Sequence, residues 1–301
     1  MFVALFAASA FSQDVVYVTN INGSGSIQKI SANPTTGSTA SSNFSEIGNI
    51  DHESAAIGYY GSYLFYLDYG SSGYGLGEGS VNIRSVKNDG TDHDNCGNFD
   101  LNGGSDNDLG FVRLAIDKTG TGWILARRRT SSIMYLAKFT ANGTNGNVSG
   151  FTVVSSNITT SDNSNMLFEN GDLCFDGNGR MYALANNTNG LTKVYTILPN
   201  SSTVLQYRWL LKTNANTNFS GQVTGVGFSS TGSLYFTSTD GLWFLNQFST
   251  NFAGGGTVLV NMVKAETGLA DIATQYWPMF TQLPVKITNI QTKLIISTTT
   301  K

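Results

Sequence analysis

The sequence predicts an all-β protein built from one supersecondary unit repeated along the chain, and three observations predict it. The first is the stretch Gly171 to Ala185, GDLCFDGNGRMYALA, in which an apolar strand (Leu173, Cys174, Phe175) meets a polar turn (Asp176 to Gly179) and leaves through Met181 to Leu184. The second is its recurrence as LAIDKTGTGWILA at Leu114 to Ala126, VGFSSTGSLYFTS at Val226 to Ser238 and, in degenerate form, AAIGYYGSYLFYLD at Ala55 to Asp68. The turn glycines Gly61, Gly120, Gly179 and Gly232 stand 59, 59 and 53 residues apart, a period that belongs to radial or linear arrays. The third is that helical periodicity is nearly absent. Only Leu259 to Thr267 could form a short helix, and it reads equally well as a strand.

Composition agrees with this class. The chain has 301 residues, 40% of them hydrophobic, enough for a large core in one domain. Charged residues make up only 12%, about half the usual share, while Gly, Ser, Thr and Asn fill the turns. That balance suits an extracellular β-protein. A net charge of −3 offers no basic field for nucleic acid or anionic lipid. Residues 1–12 read as the end of a signal peptide: an apolar run closes on small residues, with Ala10 and Ser12 placed for cleavage before Gln13. No other stretch has the ~18 apolar residues of a membrane span. Cys96, read as a loop residue, and Cys174, read as a buried strand residue, fall in different repeats and are expected to remain unjoined.

In chain order, Val15 to Thr19 alternates as a strand, Asn22 to Gly25 turns it, Ile27 to Ile30 returns, and Asn33 to Gly37 turns again. This segment has the second half of a repeat without its first strand. Gly268 to Gln275, GLADIATQ, has a first strand without its partner. Pairing the two ends would close a ring and remove both exposed edges. Between them lie four further units, with third strands at Ser80 to Val86, Ser132 to Phe139, Leu191 to Leu198 and Gly241 to Phe248, each followed by a polar turn.

Five units of about four antiparallel strands each resemble a five-bladed β-propeller of a secreted, divergent kind, with a period longer than the roughly 40–45 residues of WD40 blades. A six-bladed ring is the alternative. The resemblance implies a propeller over residues 13–280, with ligands at the mouth of the axial channel. The tail, residues 281–301, contains LPVKITNIQTKLI at Leu283 to Ile295, which resembles the opening strand of the C-terminal sorting domain of type IX secretion cargo. That resemblance implies export and display at, or release from, a cell surface. An ordinary edge strand is the other reading of the same residues.

Candidate chemistry lies on the loops expected to lead into the innermost strands. They carry Asp51, Asp108, Glu169, Asp172 and Asp271, a potential acidic rim. Five-bladed glycosidases use carboxylates from different blades, so an enzyme alternative, a glycoside hydrolase or lyase, would draw on Asp51, Asp108, Glu169 and Asp172. Solvated loop acids are the plainer reading, and the equivalence of Asp172 and Asp271 in their repeats suggests a turn role for both. Tyr59, Tyr69 and Tyr74 are expected in turns, with rings free to stack on sugar faces. Asp89, Asp92 and Asp94 are a calcium candidate, although Cys96 interrupts the EF-hand pattern and a hairpin turn at Asn88 to Gly90 accounts for them. Arg127 to Arg129 read as surface arginines. No cofactor motif is complete. These features lead to the expectation of a secreted or cell-surface binding and adhesion protein that recognises carbohydrate or a surface protein. A structural subunit of an extracellular assembly is a further alternative. Oligomeric state is not legible.

Overall fold

A computed structural model describes residues 12–21, 25–41, 43–49, 54, 56–68, 80–101, 109–128, 131, 133–164, 168, 170–186, 191–213, 217–219, 221–246 and 256–280. Every regular element among them is a β-strand. The Leu259 to Thr267 stretch is strand as far as Ala265, as part of Gly256–Ala265, and non-strand at Glu266 and Thr267.

The strands group into five four-stranded antiparallel units, numbered here as blades. Blade I contains β1 (Asp14–Asn20), β2 (Ser26–Ala32) and β3 (Ser45–Asn49), and is completed by β21 (Leu269–Ala273) from the other end of the chain. Blade II runs β4 (Ile57–Tyr60), β5 (Tyr63–Asp68), β6 (Ser80–Lys87), β7 (Asp94–Asp100). Blade III runs β8 (Leu109–Ile116), β9 (Thr121–Arg128), β10 (Met134–Ala141), β11 (Val148–Ser155). After the two-residue β12 (Thr159–Thr160), blade IV runs β13 (Asn170–Phe175), β14 (Met181–Asn186), β15 (Thr192–Ile197), β16 (Val204–Thr213). Blade V runs β17 (Val223–Phe228), β18 (Leu234–Ser238), β19 (Gly241–Leu245), β20 (Gly256–Ala265).

The first strands touch in a closed circuit: β21 meets β4, β4 meets β8, β8 meets β13, β13 meets β17, and β17 returns to β21. This is a β-propeller closed by its terminal strands. The closure follows the sequence expectation, with Tyr17 opposite Ala273, Val18 opposite Ile272 and Thr19 opposite Asp271. Because each blade is covered on both faces, its middle strands are apolar throughout rather than alternating, as in YLFYLD of β5 and MYALAN of β14, both buried along their whole length. The apolar residues accordingly separate into one core per pair of neighbouring blades. Phe65 and Ile124 lie in the core of II and III, Trp123 and Phe175 in that of III and IV, Tyr182 and Phe228 in that of IV and V. Val18 and Phe244 join V to I, and Tyr17 and Leu64 join I to II.

The turn after each first strand has one construction. Gly61, Gly120, Gly179 and Gly232 all have positive φ, between 64° and 81°, which glycine adopts without a Cβ clash. In blades III and IV an aspartate holds the turn. Asp117 accepts from the N–H groups of Thr119 and Thr121 and from Trp123 Nε1. Asp176 accepts from the N–H groups of Asn178 and Arg180 and from the Tyr182 hydroxyl. Ser229 takes this place in blade V, where its hydroxyl accepts from Ser233 N–H. The acidic turn and the aromatic that follows it are therefore one hydrogen-bonded unit.

Two features lie beyond the repeat. The outer strands β16 and β20 pair in parallel, from Trp209 with Gly256 to Thr213 with Val260, so blades IV and V share one continuous sheet. And the chain after β21 does not leave the ring: residues 274–280 cross the end of the channel where the innermost strands finish.

Candidate functional site

The repeat spacing defines a layer inside the channel. Ser54, Arg113, Asp172 and Gly225 each stand seven residues before their turn glycine, and Asp271 occupies the corresponding third place in β21. All four side chains of this layer are buried: Ser54, Asp172 and Asp271 are fully inaccessible and Arg113 is 7% exposed.

Arg113, Asp172 and Asp271 each tie their own strand to the next, while Ser54 bonds only Ala56 two residues on. Arg113 Nε donates to Gly171 O on β13, and Asp172 Oδ2 accepts from Val226 N–H on β17 at 2.6 Å. Asp271 Oδ2 accepts from Ile57 N–H on β4 at 2.6 Å, and its Oδ1 from Ile272 N–H, also at 2.6 Å. Beside Gly225, Thr224 Oγ1 donates to Leu269 O on β21 at 2.8 Å. The layer works as a polar belt around the axis.

Within that belt Asp172 and Asp271 are both fully buried and act electrostatically on one another, and Asp172 Oδ1 has no hydrogen-bond partner. Burial drives the Asp172 carboxyl well above the usual carboxylate range, and the Asp271 charge raises it further. Burial also raises Asp271, and neighbouring Asp172, the Arg113 charge and the N–H groups of Ile272 and Ile57 oppose that rise. Two facing carboxylates without solvent cannot both ionise cheaply.

This placement corrects the sequence expectation for both residues. Asp172 and Asp271 are on innermost strands, not in solvated loops or turns. Nothing in their local sequence marks them as buried, since Gly171 precedes one and the strand context of the other is only five residues long. Arg113 was missed altogether, although its spacing from Gly120 matches that of Asp172 from Gly179. Arg127 also departs from expectation: it is buried, donating to Phe168 O at 2.7 Å, so it anchors the approach to β13 rather than a surface.

Tyr59 lies on β4, not in a turn. Its ring meets Tyr17 edge-on at 4.9 Å, and its hydroxyl accepts from Asn88 Nδ2 at 2.8 Å. It lines the pocket where the innermost strands finish, the lower mouth of the channel. Asp89 sits in the β6–β7 turn, where hydrogen bonds from Thr91 hold its carboxyl below the usual range. Asp92 accepts from the Tyr63 hydroxyl, and Asp94 opens β7. Among the described residues no group of three His, Cys, Asp or Glu side chains is placed to hold a metal ion. Asp51, Asp108, Glu169, Tyr69 and Tyr74 lie outside the described residues. Cys96 is on the outer strand β7 rather than in a loop, Cys174 is on β13, and both are free thiols.

The lower pocket is lined by the ends of all five innermost strands, with Tyr59, Tyr276 and Trp277 over it. Residues 274–280 bind four blades across this mouth. Thr274 Oγ1 donates to Phe228 O at 2.7 Å, Gln275 Nε2 to Gly61 O at 3.3 Å and Trp277 Nε1 to Ile116 O at 2.9 Å. Gly177 N–H donates to Pro278 O at 2.9 Å, and Asn178 Nδ2 to Phe280 O at 2.8 Å. Trp277 is the centre of this strap, half-buried and edge-on to Tyr60. Replacing Trp277 with Ala is expected to cost about 2 kcal/mol, roughly half the cost of emptying a fully buried Trp site, and to make residues after Thr274 the first site of proteolysis. An unchanged melting temperature and cleavage pattern would show that the strap does not depend on it.

No family model and no curated protein matches the chain. Among solved structures it is similar to a GH43 β-1,3-galactosidase at 8% identity and a TM-score of 0.50, over 78% of this chain and 51% of that one. It is also similar to a protein of unknown function from Bacteroides caccae, at 12% identity and a TM-score of 0.38 over 87% and 98% of the two chains. A third similar structure is PorZ, a bacterial surface component of the type-IX secretion system of Porphyromonas gingivalis, at 12% identity and a TM-score of 0.39 over 77% and 32%. The chain thus spans about half the length of the galactosidase and a third of PorZ. At these identities the likeness bears on the fold: the galactosidase supports a propeller.

Proposed function

We propose that the protein is a secreted or surface-displayed propeller that binds carbohydrate or another surface protein, and that it does not cleave its ligand. The observation that carries this reading is the state of Asp172 and Asp271. A glycosidase needs two carboxyls roughly 5–9.5 Å apart, facing a cleft that admits the sugar. Here the two acids accept hydrogen bonds from the backbone of the neighbouring blades, without solvent access. Their raised affinity for protons comes from burial and, for Asp172, from the Asp271 charge, which buried structural acids share with a general acid. Secretion rests on the small-residue cleavage pattern at Ser12–Gln13 and on a composition poor in charge. Display at a surface rests on the sorting-domain resemblance of Leu283 to Ile295.

The test is a glycan panel assayed for both binding and cleavage. Binding without turnover is expected, in wild type and in Asp172→Asn alike. Cleavage that disappears on changing Asp51, Asp108 or Glu169 to the amide would replace this reading with a glycoside hydrolase. Tyr69 and Tyr74 are the aromatic positions to vary for binding.

A further inference from the structure

We propose that cleavage of the Ser12–Gln13 bond is followed by cyclisation of Gln13, so that the exported chain begins with a pyroglutamyl lactam capping the strand on which ring closure depends. The inference rests on the export reading and adds a modification site to it. The folded body begins abruptly at this point. Ser12 and Gln13 are both exposed, whereas Asp14, the next residue, is only 2% exposed and opens β1. Its pairing with Ala32 is the first of the β1–β2 ladder. Its Oδ2 accepts from Ser230 N–H at 2.9 Å and from the Tyr235 hydroxyl at 3.3 Å, both in blade V. The chain is therefore fixed from residue 14 onward, and Gln13 stands just outside the ladder with its side chain in solvent.

Hydrolysis of the Ser12–Gln13 bond frees an α-amine on a residue that carries its own electrophile, the side-chain amide carbon. In its neutral form, populated near and above the ordinary α-amino range of about pH 8, the α-nitrogen attacks Cδ. The N–Cδ bond forms, the Cδ–Nε2 bond breaks, and Nε2 leaves as ammonia with the proton that the α-nitrogen gives up. The step is intramolecular and needs no oxidant, reductant or metal. Its one conformational demand is that the side chain fold back on its own backbone, which an exposed residue ahead of a strand can do and a buried, ladder-paired one cannot. The lactam is neutral, so the terminal charge is lost, as it is on N-terminal acetylation. What the cap protects follows from the topology. Strand β1 lies between β21 and β2, so an aminopeptidase trimming past Asp14 would remove the strand that holds β21 in the ring. Exposed termini are where such trimming concentrates, and the lactam denies these enzymes the α-amine they require.

The experiment is export of the full chain, residues 1–12 included, from a secreting host, followed by analysis of the amino terminus in wild type and Gln13→Ala. Edman degradation of the undigested wild-type protein is expected to release no residue until pyroglutamyl aminopeptidase removes residue 13, after which Asp14 reads first. The tryptic peptide 13–29 should weigh less than its sequence by one ammonia. Gln13→Ala is expected to leave a readable alanine terminus and an unchanged melting temperature, and to be trimmed by an aminopeptidase that wild type resists. A readable Gln13 on exported protein overturns the cap while leaving export intact. A protein that keeps residues 1–12 overturns the cap and the export reading together. A blocked terminus in Gln13→Ala identifies a different modification and also overturns the lactam. Should the variant not be exported, the wild-type terminus decides alone.

Discussion

Removing every residue after Gly268 is expected to abolish cooperative unfolding at ordinary temperatures. The deletion takes away β21, all five residues of which are buried. Leu269 and Ile272 alone withdraw about 3–6 kcal/mol of apolar burial, at roughly 1.5–3 kcal/mol for each side chain. Total stabilities are only about 5–15 kcal/mol. The deletion also strips β1 of its inner partner and leaves Ile57 N–H without Asp271. The strap is lost at the same stroke. Thermal unfolding followed by near-ultraviolet circular dichroism checks this, with the full chain alongside. A truncated protein that melts as sharply and as high would mean that the ring does not need its closing strand.

Gly225→Ala is expected to be the most damaging single substitution in the channel layer. A Cβ there would stand 2.3 Å from Ile272 N and 2.6 Å from Asp271 C, both backbone atoms of the closing strand. Neither can rotate away, so β21 must shift against β17 and spoil the hydrogen bond from Thr224 to Leu269. The cost is about 3 kcal/mol, the upper part of the range for overpacking a core, or on the order of 5 °C in melting temperature for a chain of this size. Gly58→Ala provides the contrast, because its Cβ would meet Ile116 Cγ1 at 2.7 Å, a side-chain atom that can change rotamer. Equal losses in the two variants would remove backbone approach as the cause.

The architecture was legible because its signals are local. The apolar triplet before each turn, the positive-φ glycine and the aromatic after it are all consecutive residues, and Asp117 with Trp123 and Asp176 with Tyr182 interact within six positions of each other. Even ring closure could be read, since a half-unit at each end has only one way to complete its pairing. Placing Tyr59 in a turn failed for a similarly local reason: in Ile57–Tyr60 the strand is only four residues long, too short for alternation to separate it from the turn at Gly61.

The candidate site was legible in composition only. By itself the sequence determined the strands, the turn chemistry, the closure and the equivalence of Asp172 with Asp271. Only the tertiary structure decided that these two acids are buried in one layer with Arg113, because that placement depends on the radius and stagger of five strands rather than on any neighbouring residue. The strap at 274–280 and the parallel pairing of β16 with β20 are of the same kind. Each satisfies backbone groups that a repeat leaves open at its margins, and where those groups end up is set by how the blades close around the axis.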